Sequence, residues 1–142
     1  MNDNFTAQAT TTIQAPASKV WQALVNPEII KQYLFGTDVI SDWKEGSPIT
    51  YKGDWQGKSF EDKGKILKIE HEKLLCSTHW SPLSGVPDSP ENYHTVTYEL
   101  SERDGNTDVT ISQDNNASAE ERAHSEQNWK TVLDNMKRLL EG

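Results

Sequence analysis

The sequence predicts an α+β domain in which a bent antiparallel β-sheet of about seven strands wraps a long C-terminal helix. Residues 37–115 carry short alternations of apolar and polar side chains separated by turn residues, a pattern typical of sequential antiparallel strands. Residues 118–140 carry apolar side chains at helical spacing, and this segment is long enough to cover one face of such a sheet. We expect residues 1–142 to form one domain.

The N-terminal segment predicts one strand followed by two short helices. Residues 5–14 alternate, so Phe5 and Ile13 share one face of a strand. Ser18 is the expected N-cap of the first helix. Asn26 ends that helix because the residue before a proline avoids the α conformation, and Pro27 can begin the second helix.

Six further strands are predicted, over residues 37–43, 48–52, 59–70, 74–80, 93–102 and 107–113. Gly64 in the middle of the longest strand indicates a bulge or a sharp bend. Residues 81–92 form a loop rich in proline and glycine that is longer than a hairpin requires. Loops of this length often border functional sites.

The final helix has two different halves. Ser118 and Glu121 form a capping box at its start. Its apolar positions lie in the C-terminal half, at Trp129, Val132, Leu133, Met136 and Leu140. The same face reads Arg122, Ser125 and Glu126 in the N-terminal half. We therefore expect the C-terminal half to seal the sheet and the N-terminal half to border a polar or solvent-filled space.

Polar side chains also enter the predicted inner face of the sheet near one end. The three expected inward rows are His94, Val96, Tyr98 and Leu100; Val109, Ile111 and Gln113; and Leu74, Cys76, Thr78 and Trp80. Buried polar groups usually meet each other, water or a ligand. The mixed rows therefore favour a cavity with a few polar groups over a fully apolar core.

Composition excludes several classes of function. The net charge of -8 and the lack of a Lys/Arg cluster argue against nucleic-acid binding, which requires concentrated positive charge. The single cysteine, Cys76, allows no disulfide within the chain. The first residues do not resemble a secretion signal, and no stretch is apolar enough to insert in a membrane. We therefore expect a cytoplasmic protein.

Several short motifs resemble the START-like (SRPBCC) superfamily, whose helix-grip or Bet v-like fold has the same order of elements. Within it, the chain resembles the branch homologous to the C-terminal domain of the activator of the ninety-kilodalton heat-shock chaperone's ATPase. The matching residues are 13–21, 26–28, 41–48, 61–64 and 96–100, together with Trp129 and Leu133. The resemblance covers nearly the whole chain and is more specific for fold than for function.

The resemblance implies a cavity between the sheet and the C-terminal helix. Relatives use this cavity for lipids, plant hormones, polyketides or other apolar molecules, and some are cyclases or hydratases. The eukaryotic activator has an additional N-terminal chaperone-binding domain, for which these 142 residues leave no room. We therefore expect a chaperone partner only as an alternative.

No motif for metal binding or nucleophilic catalysis is evident in the sequence. The four histidines lack metal-ligand spacing, so we expect no metal and no cofactor. Cys76 has the features of a small core residue, and no catalytic residue is assigned. His94 or His79 can move a proton if it lies in an apolar cavity, but the simpler interpretation of His94 is a satisfied core or rim residue.

The leading hypothesis is that the cavity binds a small apolar or amphipathic molecule. The predicted wall residues are Trp80, His94, Tyr98, Gln113, Ser125 and Trp129. For Trp80, cavity lining and plain core packing remain open alternatives. Two other hypotheses are a cyclase- or hydratase-type enzyme using His94 or His79, and a chaperone-associated protein-interaction module. A homodimer is compatible with each of these hypotheses.

Overall fold

Seven antiparallel strands form one sheet in the computed structural model, which describes residues 5–34, 36–55, 57–82 and 85–141. The strands are β1 (Phe5–Ile13), β2 (Asp38–Ser41), β3 (Pro48–Trp55), β4 (Lys58–Glu70), β5 (Leu74–His79), β6 (His94–Arg103) and β7 (Asn106–Asn116). The helices are α1 (Ala17–Val25), α2 (Pro27–Tyr33) and α3 (Ala119–Glu141). This is the predicted helix-grip architecture.

The strand order is β1-β7-β6-β5-β4-β3-β2, so only the pairing of β1 with β7 joins strands that are distant in the chain. Helices α1 and α2 carry the chain from one edge of the sheet to the other. Residues 83 and 84 of the predicted 81–92 loop lie outside the described residues. No helix in the described ranges combines the length and the apolar character that crossing a bilayer requires.

Helix α1 begins two residues earlier than the predicted Ser18 cap implies, and a distant residue caps it. Pro16 occupies the N-cap position and provides no side-chain cap, while Ser18 lies inside the helix. The backbone N–H of Ala17 instead donates to the Glu102 carboxylate at 2.7 Å. A carboxylate of strand β6 thus satisfies the free N–H at the start of α1, where sequence patterns predict a cap from a neighbouring residue.

The second and third helix starts follow the sequence pattern closely. Asn26 is the N-cap of α2, where its side chain accepts from the Glu28 N–H at 3.0 Å. Ser118 caps α3 by accepting from the Glu121 N–H at 3.1 Å, and the Glu121 carboxylate accepts from the Ala117 N–H at 2.9 Å. The predicted Ser118 cap is confirmed, whereas the reciprocal bond of Glu121 reaches the N–H of Ala117, one residue before the N-cap.

Strand β4 changes partners halfway along its length. Its first part pairs with β3, and its last part, from Ile66 onward, pairs with β5. At Gly64 a Cβ atom would lie 1.7 Å from the Thr78 carbonyl oxygen, so only glycine allows β5 to approach this closely. The register irregularity itself lies between Ile66 and Lys68.

The predicted inward row of β5 was wrong by one residue. Leu75 and Ser77 are 3% and 1% exposed, and they face the interior opposite Tyr98 and Val96. The row that was predicted to face inward, which includes Cys76, is half-buried on the other face of the strand. Leu74 and Leu75 are both apolar, so local alternation does not fix the phase of this strand, whereas pairing with β6 does.

The C-terminal half of α3 seals the sheet as predicted. Leu133 and Met136 are 1% and 0% exposed and pack in the same core as Ile66 and Ile111. Filling this space with close-packed apolar side chains provides most of the stabilisation available to a domain of this size.

The N-terminal half of α3 and the helix end protect the free edge of β1. The Gln8 and Gln14 N–H groups donate to the carboxylates of Glu126 and Glu141 at 3.1 and 2.8 Å. The Arg122 guanidinium lies 5.6 Å from the centre of the Phe5 ring. Of the polar residues on this face of α3, Glu126 satisfies an N–H of the exposed strand edge, Arg122 lies over the Phe5 ring, and Ser125 borders the polar side chains of Gln113 and Asn116.

Candidate functional site

A pocket of about 230 Å³ lies between the sheet and α3. Among the described residues, the aromatic side chains that line it include Tyr51, Phe60, Tyr98 and Trp129. Val96 and Val132 contribute further apolar surface, and Asn128 lies at an exposed position of the rim. The volume is below the roughly 300–1,000 Å³ of sites that hold drug-sized molecules, so it suits a compound with one or two rings.

One wall of the pocket carries an aspartate–histidine pair. His79 Nε2 lies 2.9 Å from Asp62 Oδ2, and a carboxylate oxygen only accepts, so the imidazole donates this bond. The two residues meet because Lys63 pairs with Trp80 where β4 passes β5, which makes Asp62 and His79 diagonal neighbours on one face. The pair therefore depends on the same exchange of strand partners that requires Gly64.

The second carboxylate oxygen of Asp62 is not satisfied. Oδ1 is buried and has no hydrogen-bond partner among the described residues. The Asp62 side chain is 14% exposed, so water does not replace the missing partner freely. A buried unpaired acceptor is uncommon in folded proteins and requires an explanation.

Two tyrosines complete the polar part of this wall. The Tyr51 ring meets the His79 ring edge-on, with 5.5 Å between their centres. Burial raises the pKa of Tyr51 to about 12; the Asp62 charge adds to this effect, and a hydrogen bond with Ser77 opposes it. Burial also raises the pKa of Tyr98 well above its ordinary value. Both phenols are therefore neutral near pH 7 and act as hydrogen-bonding groups, not as bases.

A second polar cluster lies on the other side of the pocket, between β7 and α3. The Trp129 indole N–H donates to Gln113 Oε1 at 2.8 Å. Gln113 Nε2 lies 3.3 Å from Asn116 Oδ1 and 3.4 Å from Ser125 Oγ, and the Ser125 hydroxyl donates to Asn116 Oδ1 at 2.9 Å. Asn116 Nδ2 donates to the Phe5 carbonyl at 2.7 Å. This cluster satisfies its own polar groups.

The remaining predicted wall residues lie beside a neighbouring pocket of about 320 Å³ under residues 85–92. His94 Nδ1 donates to the Asp114 carbonyl at 2.8 Å. The Trp80 indole N–H donates to the Val86 carbonyl at 3.2 Å, and its ring stacks on Tyr93 with 6.4 Å between centres. The Trp80 indole therefore holds the 85–92 segment against the sheet, whereas the His94 contact joins β6 to β7.

The structure thus separates the six predicted wall residues into three groups. Tyr98, Gln113 and Trp129 line the pocket between the sheet and α3. Ser125 lies behind Gln113 as its hydrogen-bond partner. Trp80 and His94 line the neighbouring pocket, which shares Gln113 and His79 with the first.

Sequence reasoning missed Asp62, although a signal for it exists. Phe60, Asp62, Gly64 and Ile66 occupy alternate positions of β4, so Asp62 is an acidic residue in a row that ends in the core at Ile66. An acidic residue in such a row is rare without a partner or a function. The long-range partner, His79, follows only from the tertiary pairing of β4 with β5.

Comparisons with known proteins give consistent results. A sequence model of the family described as activator of Hsp90 ATPase homolog 1-like protein matches residues 14–141. The solution structure of ChR145 from Cytophaga hutchinsonii is 53% identical, has a TM-score of 0.87, and the alignment covers 99% of this chain and 97% of that one. No match was found among curated proteins.

More distant structures share the fold alone. The Aha1 dimer from Colwellia psychrerythraea, solved in solution, is 22% identical with a TM-score of 0.75 and 96% coverage of both chains. DynU16, from the dynemicin biosynthetic locus, is 17% identical with a TM-score of 0.79; the alignment covers 98% of this chain and 48% of DynU16. The match over residues 14–141 shows that the chain belongs to the family of activator of Hsp90 ATPase homolog 1-like proteins.

Proposed function

We propose that the protein binds a small apolar or amphipathic molecule in the pocket between the sheet and α3. The observation that carries this proposal is a pocket with aromatic walls in which the carboxylate of Asp62 has a buried oxygen without a hydrogen-bond partner among the described residues. Ligand sites typically combine apolar walls with a few polar groups that fix the ligand's orientation.

The contrast with the rest of the interior supports a ligand over ordinary packing. Around Gln113 and Asn116 every buried polar side chain of the cluster has a protein partner. Asp62 Oδ1 is the exception on the opposite wall. A group retained in the protein at a cost to stability is expected where it serves binding or catalysis.

The predicted wall residues enter this proposal in two roles. Tyr98 and Trp129 contact the ligand's apolar body, and Gln113 holds the Trp129 indole in place. Trp80 and His94 flank the site through the neighbouring pocket, and Ser125 supports Gln113. DynU16 comes from a biosynthetic locus, which is consistent with small-molecule binding by this fold. The dimer of the Colwellia relative is likewise consistent with a homodimer.

The proposal is tested by closing the pocket mouth without disturbing the core. Asn128 is exposed and lines the pocket, whereas the adjacent Gln127 is exposed and does not. The probe is phenylpropanol, a neutral compound of suitable size, titrated by calorimetry. We expect Asn128→Trp to weaken its binding at least about tenfold and Gln127→Trp to leave it unchanged.

Equal binding by the two tryptophan variants would place the probe elsewhere and contradict the proposal. Lack of saturable binding by the unmodified protein up to the solubility limit of phenylpropanol would contradict it as well. Unfolding curves of both variants provide the check that each is folded.

Acid–base catalysis at His79 is a second candidate function. His79 borders both pockets, and Asp62 holds its imidazole through Nε2 at 2.9 Å, an arrangement that orients a general base. His94 is less suited, because the acceptor of its Nδ1–H is a neutral backbone carbonyl and not a carboxylate, and because it lines only the neighbouring pocket. For any compound the protein converts, His79→Gln should lower kcat by about 100-fold or more, while His94→Gln should not; equal effects would contradict this role.

A further inference from the structure

The charge of the pocket wall restricts the ligand further than its size does. Among the described residues that line the pocket, Asp62 carries a carboxylate, and none is a lysine or an arginine. The chain as a whole has a net charge of -8, which adds a weaker attraction for cations over longer distances. An anionic ligand would meet repulsion on both scales.

Neighbouring cations do not neutralise Asp62. Lys63 is adjacent in sequence but points to the other face of β4, where its ammonium pairs with Asp88 and lies 5.8 Å from the centre of the Trp80 ring. The Lys52 ammonium lies 4.0 Å from the carboxylate of Glu61, the exposed residue before Asp62. Among the described residues, the His79 imidazole alone donates a hydrogen bond to the Asp62 carboxylate, and this bond reaches only Oδ2.

The rest of the wall also favours a cation. Tyr51, Phe60, Tyr98 and Trp129 line the pocket, and aromatic rings attract ammonium groups through their negative faces. A cation beside Asp62 would gain from the carboxylate and from these rings, whereas an alcohol would gain a hydrogen bond only.

We propose that the pocket takes an amphipathic amine, with its ammonium group beside Asp62 and its apolar body between the sheet and α3. This inference rests on the proposed small-molecule binding and adds the ligand's chemical class. Asp62 then acts as the residue that selects the ligand's charge.

The test compares three probes with the same body and different polar ends: phenylpropylamine, phenylpropanol and phenylpropionate. We expect the amine to bind about tenfold more tightly than the alcohol, and the alcohol more tightly than the carboxylate. In Asp62→Asn, the amine and the alcohol should bind within about twofold of each other. Glu61→Gln is the matched control, because it removes an exposed carboxylate one residue away.

The outcomes separate this inference from the function on which it rests. If the alcohol binds in the pocket but the amine binds no better, or if Asp62→Asn keeps the amine preference, the inference is wrong and the binding function stands. If Glu61→Gln reduces the preference as much as Asp62→Asn, general surface charge explains it and the inference is again wrong. If none of the three probes binds, both proposals fall.

Discussion

Two polar clusters face the space between the sheet and α3, and they differ in how well they are satisfied. On the β7 side, Gln113, Asn116, Ser125 and Trp129 bond to one another and to the backbone. On the β4–β5 side, Asp62 bonds to His79 through one oxygen, and its other, buried oxygen has no partner in the part of the chain that the structure describes. The first cluster is satisfied within the protein, whereas the second leaves a buried carboxylate oxygen for which the described residues provide no hydrogen-bond partner.

The comparison shows why the polar residues of an inner sheet face are not interchangeable. A satisfied polar network makes the fold more specific and is costly to break. An incompletely paired carboxylate costs stability, and its replacement is expected to relieve that cost. Substitutions in the two clusters should therefore have opposite effects on stability and on binding.

The largest expected effect is at Asn116, which joins the first cluster. Its side chain is 4% exposed and bonds to the Phe5 carbonyl, the Gln113 carbonyl and the Ser125 hydroxyl. Asn116→Ala should lower the free energy of unfolding by about 2–3 kcal/mol in urea titrations, since several buried groups lose their partners. Asn128→Ala, at an exposed position of α3, is the control and should change it by less than about 0.5 kcal/mol.

The Gln113–Trp129 pair should show a smaller but coupled effect. Gln113→Leu keeps the side-chain volume and removes the acceptor of the indole N–H, at a cost of about 1–2 kcal/mol. Trp129→Phe removes the donor instead. In a double-mutant cycle, the double variant should lose less stability than the sum of the two single variants; strict additivity would mean that the 2.8 Å hydrogen bond contributes nothing.

Asp62→Asn should behave in the opposite way to the Asn116 and Gln113 variants. Because it removes an incompletely paired charge, we expect the free energy of unfolding to stay within about 0.5 kcal/mol of the unmodified protein or to rise. The amine preference of the pocket should be lost at the same time. A decrease in stability of more than about 1 kcal/mol would place Asp62 with the structural cluster and remove the distinction drawn above.

The smallest effect on stability is expected outside both clusters, where exposed charged side chains hold the 85–92 segment. Hydrogen bonds from Lys63 and then Tyr93 lower the pKa of Asp88 below its ordinary value. The attachment therefore contributes fully above the ordinary aspartate pKa and is lost as the pH falls through the lowered one. The indole N–H resonance of Trp80 should shift over that acidic range, and Lys63→Ala should reduce the shift; a pH-independent resonance would contradict this attachment.

The sequence is sufficient to predict the main elements because their signals are local. Alternation defines the strands, and Pro27 and the Ser118 cap mark two helix starts. Contacts between distant residues are not encoded locally. The Glu102 cap of α1 and the phase of β5 depend on pairings that form only in the folded sheet.

The candidate site was predicted only in part, because some of its contacts join residues that are distant in the sequence. Tyr98 and Gln113 are predicted from alternation within single strands and Trp129 from helical spacing within α3, and all three line the pocket. Asp62 and His79 become a pair only because β4 leaves β3 for β5 near Gly64. Sequence alone also does not distinguish Gln113, which is satisfied, from Asp62, which is not, because that difference depends on which partners the fold brings within reach.

The most direct test of the central claim is to map where an amine binds. Nitrogen-15-labelled protein is titrated with phenylpropylamine while its backbone amide resonances and its tryptophan indole N–H resonances are followed. We expect saturable shifts centred on Asp62, His79 and Tyr98 and on the Trp129 indole N–H, all of which border the pocket. Shifts confined to the 85–92 segment or to residues remote from the pocket would show that the unpaired carboxylate does not serve ligand binding.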